Sequence, residues 1–232
     1  MRVAVIPARG GSKRIPQKNI RPFCGQAMIV YSIDAAQESG CFDRIIVSTD
    51  DDEIAGVARR AGAEVPFERP ASLSDDDTGT IPVIAHAIEW LMENGERPEQ
   101  VCCVYATAPF LRAQDIRAGL QTLEETGCDY CFAVTRYASP IQRAFRIRQD
   151  GRTEMFSPEN FETRSQDLEE AYHDAAQFYW GAAAAWLEGQ PVFSAGAVPV
   201  VLPRYRVQDI DTEEDWVRAE VMFAALKDIR PQ

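Results

Sequence analysis

The sequence predicts an α/β protein with a mostly parallel central sheet flanked by helices. Short continuous apolar runs, such as residues 3–6, contain no alternating polar positions, which is typical of strands covered on both faces. Segments with helical periodicity alternate with these runs up to about residue 135, as in folds made of βαβ units. Since 46% of the 232 residues are hydrophobic, the chain can form one sizeable core, and we expect a single domain over residues 1–232.

The first half of the chain contains four predicted strands and four predicted helices. We expect strands at residues 3–6, 44–48, 63–67 and 101–105, and helices at 27–38, 50–60, 81–94 and 115–126. Asp50 and Glu53 have the spacing of a capping box at the start of the second helix. The segment between the third strand and the third helix is polar and turn-rich, and it contains an acidic run at residues 75–77.

The pattern changes after Thr135. Alternation at residues 145–148 and 153–156, on either side of Asp150-Gly151, predicts a small hairpin. Residues 157–174 are polar and have few core candidates, so we interpret 139–174 as an insertion that packs on the sheet edge or on a second subunit. Apolar residues return at 178–180 and 198–202, and Thr212 with Asp215 predicts the capped start of a last helix.

A basic, glycine-containing loop follows the first strand. Gly10 and Gly11 allow the backbone to turn closely around a ligand, and the exposed N–H groups of such a loop, beside cations, form a typical phosphate site. The polar side chains of this loop are Arg9, Ser12, Lys13, Arg14, Lys18 and Asn19. A solvated basic loop is the alternative. The loop matches neither G-x-x-x-x-G-K-[ST] nor G-x-G-x-x-G, so the residues alone indicate a nucleotide or polyphosphate site.

Asp209 and Asp211 alternate on an extended segment before the last helix. Side-chain direction repeats every two residues in such a segment, so both carboxylates point the same way. Such a pair suits Mg²⁺, which takes one or two carboxylates and completes its shell with phosphate and water. The alternative is that Asp211 is a helix-start anion and Asp209 a surface charge, and spacing alone does not choose between them.

Composition and cysteine usage exclude several classes of partner. A net charge of −12 argues against nucleic acid and against anionic membranes as partners. The sequence contains no apolar run of about 20 residues and no signal-peptide pattern. Cys128 and Cys131 have C-x-x-C spacing without a second pair, so we expect buried thiols in a reducing, cytoplasmic compartment.

Several motifs resemble the CMP-sugar synthetases, the cytidylyltransferases that activate sialic acid and related nonulosonic acids. The resemblance covers residues 6–13 (IPARGGSK), Lys18-Asn19-Ile20, Arg69-Pro70 with Leu73-Ser74 and Asp77-Thr78, and Asp209-x-Asp211. It implies a Rossmann-like nucleotidyltransferase fold, CTP as substrate, Mg²⁺ on Asp209 and Asp211, and a homodimer. The nucleotide-binding residues it implies are Ala8, Arg9, Gly10, Gly11, Ser12, Lys13, Asn19, Arg69, Ser74, Asp77 and Thr78. A salt bridge across the acidic loop is the alternative role for Arg69.

Other segments indicate the acceptor sugar. Residues 105–112 (YATAPFLR) and 172–181 (YHDAAQFYWG) differ from the sialic acid enzymes, and together with 140–143 and 163–167 they resemble the pseudaminic acid cytidylyltransferases. Ala176 stands where that resemblance predicts Gly. A nonulosonic acid carries a carboxylate, for which Arg143 and Arg164 are candidate partners. The candidates for its hydroxyl and acylamino groups are Thr107, Gln166, Gln177 and Tyr179.

The hypothesis is that CTP and pseudaminic acid give the CMP-sugar and pyrophosphate. Lys18, Asp209 and Asp211 are the candidate catalytic residues, since positioning and charge stabilisation dominate phosphoryl transfer. Sialic acid or another nonulosonic acid is the alternative acceptor. A non-catalytic CTP sensor is the alternative from a different class.

Overall fold

The computed structural model of the protein describes residues 1–228. Ten strands and six α-helices occur in this part of the chain. In chain order they are β1 (Arg2–Pro7), β2 (Pro22–Phe23), β3 (Gln26–Ala27), α1 (Met28–Ser39), β4 (Arg44–Ser48), α2 (Asp52–Arg60), α3 (Thr80–Glu93), β5 (Gln100–Val104), α4 (Ala113–Thr126), β6 (Tyr130–Arg136), β7 (Phe145–Ile147), β8 (Thr153–Met155), β9 (Tyr172–Ala182), α5 (Ala183–Leu187), β10 (Ala197–Val201) and α6 (Glu213–Asp228).

Six of the strands form the central sheet, in the order β10-β6-β9-β5-β1-β4. All neighbours pair in parallel except β9, which lies antiparallel between β5 and β6. From β1 the chain continues to β4 on one side and later to β5 on the other, which makes the end of β1 a topological switch point. In such sheets ligands bind beyond the carboxyl ends of the strands at this point. The predicted mostly parallel α/β fold is confirmed.

The apolar strands are covered on both faces, as their continuous hydrophobicity predicts. In β1, Ala4 and Ile6 pack in the core layer with α1, α2 and α4, while Val3 and Val5 pack in the layer with α3 and α5. All four side chains are fully buried. A strand with two covered faces cannot tolerate alternating polar residues, so the uninterrupted run at residues 3–6 follows from this position.

The last helix packs against the loop that follows β1. Trp216 of α6 lies edge-on to Phe23, with ring centroids 5.4 Å apart, and the guanidinium of Arg21 stacks over the Trp216 ring at 4.4 Å. Thr212 and Asp215 form the predicted cap, since the Asp215 N–H donates to Thr212 Oγ1 at 3.2 Å and Thr212 N–H donates to Asp215 Oδ2 at 2.9 Å. The packing of Trp216 on Phe23 and Arg21 brings the segment before α6 beside the basic loop.

Two local predictions are wrong. The cap of α2 is Asp51, whose Oδ1 accepts from the N–H groups of Glu53 and Ile54, whereas Asp50 turns toward the basic loop. Residues 63–67 do not form a strand. In this segment only Glu64 bridges to Ile46 of β4, so the segment forms one pair of backbone hydrogen bonds with the sheet edge rather than a ladder.

The insertion contains the predicted hairpin. β7 and β8 pair only with each other, and most of their residues are exposed. The insertion ends earlier than predicted, because residues 172–177 already belong to the 11-residue strand β9. The first residues of β9 are polar and only partly buried, so they lack the apolar run that indicates a strand. None of the helices within residues 1–228 has the length and apolar character needed to cross a membrane.

Candidate active site

The basic loop is held by hydrogen bonds to its own backbone and to β4. Ala8 N–H donates to the Ser48 carbonyl at 2.9 Å, and the buried Asn19 donates through Nδ2 to the Arg9 carbonyl at 2.9 Å. A Cβ on Gly10 would lie 2.6 Å from Asp51 Oδ2, so only glycine allows this close approach. The Gly10 N–H already donates to Asp50 Oδ1 at 2.9 Å. Because this N–H group is already hydrogen-bonded, the loop offers mainly its side chains to a ligand.

A cleft of about 240 Å³ opens at the carboxyl ends of β1 and β5, and we call it the nucleotide cleft. Most of its lining is polar, and cations predominate among the charged groups. The predicted site residues that line it are Arg9, Ser12, Lys13, Lys18, Asn19, Arg69, Thr78, Thr107 and Asp211. The structure thus brings together residues from the basic loop, the acidic turn segment, the end of β5 and the segment before α6.

Two cations of the nucleotide cleft are paired with the acidic turn segment. Arg9 Nη1 lies 2.7 Å from Asp76 Oδ1 and donates to the Asp75 carbonyl at 2.5 Å, and Lys13 Nζ contacts Asp76 Oδ2. These hydrogen bonds, first from Lys13 and then from Arg9, lower the pKa of Asp76. The carboxylate of Asp76 therefore occupies the position that an anionic ligand of these two side chains would take.

The other two cations of the loop contact the segment before α6. Arg14 Nη2 lies 3.0 Å from Asp211 Oδ1. Lys18 Nζ lies 3.4 Å from the same oxygen and donates to the Ile210 carbonyl at 2.7 Å. The basic loop and the Asp-x-Asp segment, almost 200 residues apart in sequence, are therefore adjacent, so one bound ligand can reach both.

Arg69 lines the nucleotide cleft but is almost completely buried in its wall. The side chain is 4% exposed, donates through Nε to Ser48 Oγ at 3.1 Å and also contacts the Ser48 carbonyl through Nη2. Burial lowers the pKa of Arg69 to about 10, although Asp50 opposes this effect. The alternative of a salt bridge across the acidic loop is wrong, because Arg9 and Lys13 make that pairing with Asp76.

A second cleft, of about 380 Å³, adjoins the nucleotide cleft through Asp211, and we call it the acceptor cleft. Its lining is rich in charged side chains of both signs. The residues are Thr135, Arg136, Ala138, His173, Asp174, Arg204, Val207, Gln208, Asp209, Asp211, Asp215 and Arg218. Partial desolvation, followed by repulsion from the Asp211 carboxylate, raises the pKa of Asp209, although one side of the residue is open to solvent.

Several predicted nucleotide residues line neither cleft. Ala8 is buried, Gly10 is packed against Asp51, and Gly11 is exposed. Ser74 donates to the Pro70 carbonyl at 3.2 Å, and Asp77 is exposed beside the acidic turn. These residues shape the loops that carry the cleft side chains.

Of the predicted sugar-binding residues, Thr107 lines the nucleotide cleft, and the other five separate into two groups. Gln177 and Tyr179 are buried in β9, where Gln177 Nε2 donates to the Arg206 carbonyl at 2.7 Å. Arg143, Arg164 and Gln166 are exposed on the insertion and line neither cleft. Arg143 contacts the Thr163 carbonyl, and Arg164 pairs with Asp167 at 3.0 Å.

Arg14, Tyr105 and Asp174 line the two clefts but were not among the predicted site residues. Tyr105 follows the last residue of β5, so its position at a strand end was the available signal. Arg14 belongs to the same basic cluster as the selected residues. Asp174 lies in the 172–181 segment whose resemblance indicates the acceptor sugar, but nothing in that stretch shows that an antiparallel strand begins there, so the position of Asp174 was not predictable.

The fold and the nucleotide cleft define the class of protein. Cations placed at the switch point of an α/β sheet, facing a carboxylate, are typical of enzymes that bind nucleotides. The model of the cytidylyltransferase family matches residues 3–195, and the chain belongs to this family.

Individual relatives cover almost the whole chain. A pseudaminic acid cytidylyltransferase of Campylobacter jejuni is 43% identical over 221 residues, with 95% of each chain covered. A CMP-N,N'-diacetyllegionaminic acid synthase of Legionella pneumophila is 31% identical, also with 95% of each chain covered. Among solved structures, a CMP:2-keto-3-deoxy-manno-octonic acid synthetase complexed with CTP matches with a TM-score of 0.70 at 14% identity, over 97% of this chain and 99% of that one. This last likeness supports the Rossmann-like nucleotidyltransferase fold.

Proposed function

We propose that the protein transfers CMP from CTP to pseudaminic acid. The anomeric hydroxyl oxygen forms a bond to the α-phosphorus, the bond from that phosphorus to the bridging oxygen of the β-phosphate breaks, and pyrophosphate leaves with the electron pair. The hydroxyl proton passes to a base or to water. The observation that carries the proposal is the group of cations around the nucleotide cleft of a protein whose net charge is −12.

The side chains of the cleft bind and neutralise the triphosphate. Arg9 and Lys13 exchange Asp76 for phosphate oxygens, which carry more charge than one carboxylate. Lys18, anchored on the Ile210 carbonyl, is held where negative charge develops near Asp211. Since phosphoryl transfer depends on positioning and electrostatic stabilisation, these fixed cations account for most of the catalysis expected from the protein.

Asp209 and Asp211 would hold a Mg²⁺ ion. Within residues 1–228 no group of three or more His, Cys, Asp or Glu side chains has the arrangement of a metal site. Two carboxylates fit an ion that takes its other ligands from phosphate and water. Burial, followed by repulsion from Asp211, raises the pKa of Asp209, and a bound cation would offset that repulsion. When bound, such an ion neutralises phosphate charge and lowers the pKa of the attacking hydroxyl.

The choice of pseudaminic acid is supported by the degree of similarity. Identity is 43% to a relative named for this sugar and 31% to one named for legionaminic acid, at the same coverage. The acceptor cleft contains carboxylates for hydroxyl donors, and the guanidinium groups of Arg204 and Arg218 for a sugar carboxylate. Sialic acid and other nonulosonic acids share these groups, so they are the competing acceptors.

We further propose a cytoplasmic homodimer in which the insertion packs on a second copy of the chain. Apolar side chains of the insertion are exposed to an extent that favours burial in an interface, among them Ile147 at 74% and Phe161 at 67%. Arg143 and Arg164 line neither cleft of their own chain. In the proposed dimer they would contact the carboxylate of a sugar bound to the second subunit. None of the six cysteines, all of which lie within residues 1–228, is part of a disulfide, which supports a reducing compartment.

The test is pyrophosphate release from CTP with Mg²⁺ and each of several nonulosonic acids. We expect the fastest turnover with pseudaminic acid. Faster turnover with sialic acid would overturn the substrate assignment, and tight CTP binding without turnover of any sugar acid would favour the CTP sensor.

The metal proposal has its own test. Asp209→Ala combined with Asp211→Ala should lower kcat by about 100-fold or more, the scale of losing a group that stabilises transition-state charge. The matched control replaces Glu89 and Glu93, two exposed acids of α3, with alanine and should leave kcat unchanged. An unchanged kcat in the first double variant would contradict the proposed metal site.

A further inference from the structure

Asp174 is a charged residue of the acceptor cleft that the proposed mechanism does not yet use. It lies at the beginning of β9, directly opposite Val134 of β6. The acceptor cleft has a volume of about 380 Å³, within the range of roughly 300–1,000 Å³ that is common for small-ligand sites. Because this cleft shares Asp211 with the nucleotide cleft, a sugar acid bound there would lie next to the α-phosphate.

The backbone around Asp174 is irregular in a way that directs its side chain. The pairing of β9 with β6 shifts register between Phe132 and Val134, and Ala176 has a φ of 50°, in the left-handed region. Irregularities of this kind turn a strand and re-aim a side chain, often beside active sites. The Ala176 N–H donates to Asp174 Oδ1 at 3.0 Å, so the turned backbone also fixes one carboxylate oxygen.

The second carboxylate oxygen is held by a tyrosine that does not reach either cleft. Tyr179 is 4% exposed, and its hydroxyl contacts Asp174 Oδ2. The same hydroxyl lies 3.3 Å from the hydroxyl of Tyr105, which lines the nucleotide cleft. A tyrosine has one hydroxyl proton, and the carboxylate is the stronger acceptor, so Tyr179 donates to Asp174 and accepts from Tyr105.

This arrangement links the two clefts through three side chains. Burial, with smaller contributions from Tyr105 and Asp174, raises the pKa of Tyr179 and keeps its hydroxyl protonated as a donor. Each Asp174 oxygen accepts one hydrogen bond and has a further lone pair. The carboxylate is therefore held rigidly while it retains capacity to accept from a ligand.

We propose that Asp174 recognises the acceptor sugar, by accepting hydrogen bonds from its hydroxyl or acylamino N–H groups, and that Tyr179 is a positioning residue that acts through Asp174. This inference rests on the proposed function, since it assigns the acceptor cleft to the sugar acid. It also changes the prediction for Tyr179, which sequence analysis treated as a direct sugar contact. The buried hydroxyl of Tyr179 is instead occupied by Asp174 and Tyr105.

The test compares Asp174→Asn, Tyr179→Phe and the double variant in steady-state kinetics with CTP and pseudaminic acid. Asparagine keeps an oxygen for the Ala176 N–H but loses the charge. We expect kcat/KM for the sugar acid to fall about 10- to 100-fold in Asp174→Asn, as for loss of a hydrogen bond to a charged group. KM for CTP should stay within about twofold, because CTP binds in the other cleft. Asp52→Asn, an exposed acid of α2, is the matched control.

The double variant distinguishes positioning from direct contact. If Tyr179 acts through Asp174, Tyr179→Phe causes a smaller loss in the same parameter and adds nothing to Asp174→Asn. Fully additive losses, an equal change in KM for CTP, or no change in Asp174→Asn would each overturn the proposal. Melting temperatures of all variants identify losses due to unfolding, and an unfolded Asp174→Asn would be replaced by Asp174→Ser in the same comparison.

Wild-type turnover separates this proposal from the proposed function. If the wild-type protein turns over no sugar acid, the proposed function fails, and binding of pseudaminic acid is then measured by saturation-transfer NMR. Binding by the wild-type protein that is lost in Asp174→Asn would support Asp174 as the recognition residue. Equal binding by both proteins, or none by the wild type, would overturn that role.

Discussion

The buried ion pair between Arg206 and Asp115 provides the sharpest test of how the segment before α6 is held. Arg206 Nη1 and Nη2 lie 2.6 and 3.1 Å from the two Asp115 oxygens, and the two side chains are 6% and 7% exposed. The Arg206 carbonyl also accepts from Gln177 Nε2, so this residue attaches the chain before Asp209 to both α4 and β9. We predict that Arg206→Met strongly destabilises the protein.

The magnitude follows from the charge that the substitution leaves behind. Removing one partner of a buried ion pair costs about 3–5 kcal/mol, because the other charge remains buried without compensation. Asp115 lies in the first turn of α4, where the helix dipole offsets about 0.5–1 kcal/mol. We therefore expect a loss of about 3 kcal/mol in the free energy of unfolding, a large part of the roughly 5–15 kcal/mol typical of a domain.

Urea denaturation followed by circular dichroism measures this loss. Combining Arg206→Met with Asp115→Leu removes both charges and should restore most of the stability. Arg146→Met, which breaks an exposed ion pair with Glu154, is the matched control and should leave the denaturation midpoint unchanged. A loss below about 1 kcal/mol in Arg206→Met, or a double variant less stable than the single one, would refute the reasoning.

Three further predictions concern Asp76 of the acidic turn, strand β9 and helix α3. Asp76→Asn should lower the dissociation constant of CTP about two- to fivefold in calorimetry, because the ligand no longer displaces a carboxylate from Arg9 and Lys13; weaker binding would contradict this. Ala176→Gly should raise the melting temperature by about 1–2 °C, since relief of the left-handed conformation slightly exceeds the entropy cost of glycine; a lower melting temperature would contradict it. Burial lowers the pKa of His86, whose Nδ1 has no hydrogen-bond partner within residues 1–228, so the stability present above a pH of about 6.5 is lost as pH falls through the folded-state pKa. His86→Leu should therefore reduce the difference in melting temperature between pH 7.5 and pH 5.5, and an unchanged difference would show that another group causes the acid sensitivity.

The sequence allowed much of the fold to be predicted because its signals are local. Continuous apolar runs identified three strands of the parallel part, β1, β4 and β5, and glycines and capping residues placed most helix ends within a few residues. The cap of α2 was wrong by one residue because Asp50 and Asp51 are equivalent by type. Which of them caps the helix depends on Gly10, 40 positions earlier, whose N–H binds Asp50.

The site was less predictable because its contacts are long-range. Arg9, Lys13, Lys18 and Asp211 could be selected from motifs, but not the pairing of the two lysines with different carboxylates. Asp174 could not be found, since its position depends on a strand inserted between β5 and β6. Roles implied by resemblance for Arg143 and Arg164 stay predictions, because within residues 1–228 of one chain these side chains reach neither cleft.

Because β9 runs antiparallel to its neighbours, the two clefts are formed by different kinds of chain segment. Many residues of the nucleotide cleft lie on loops that connect a parallel strand to the next helix, and this connection limits how far those loops can vary. β9 instead begins at the edge of the sheet where the clefts lie, directly after the insertion. Substitutions in the insertion can therefore alter the acceptor cleft without changing the buried core. On the proposed function, a new sugar preference could evolve, or be engineered, by rebuilding the insertion and the first residues of β9 while the nucleotide cleft is left unchanged.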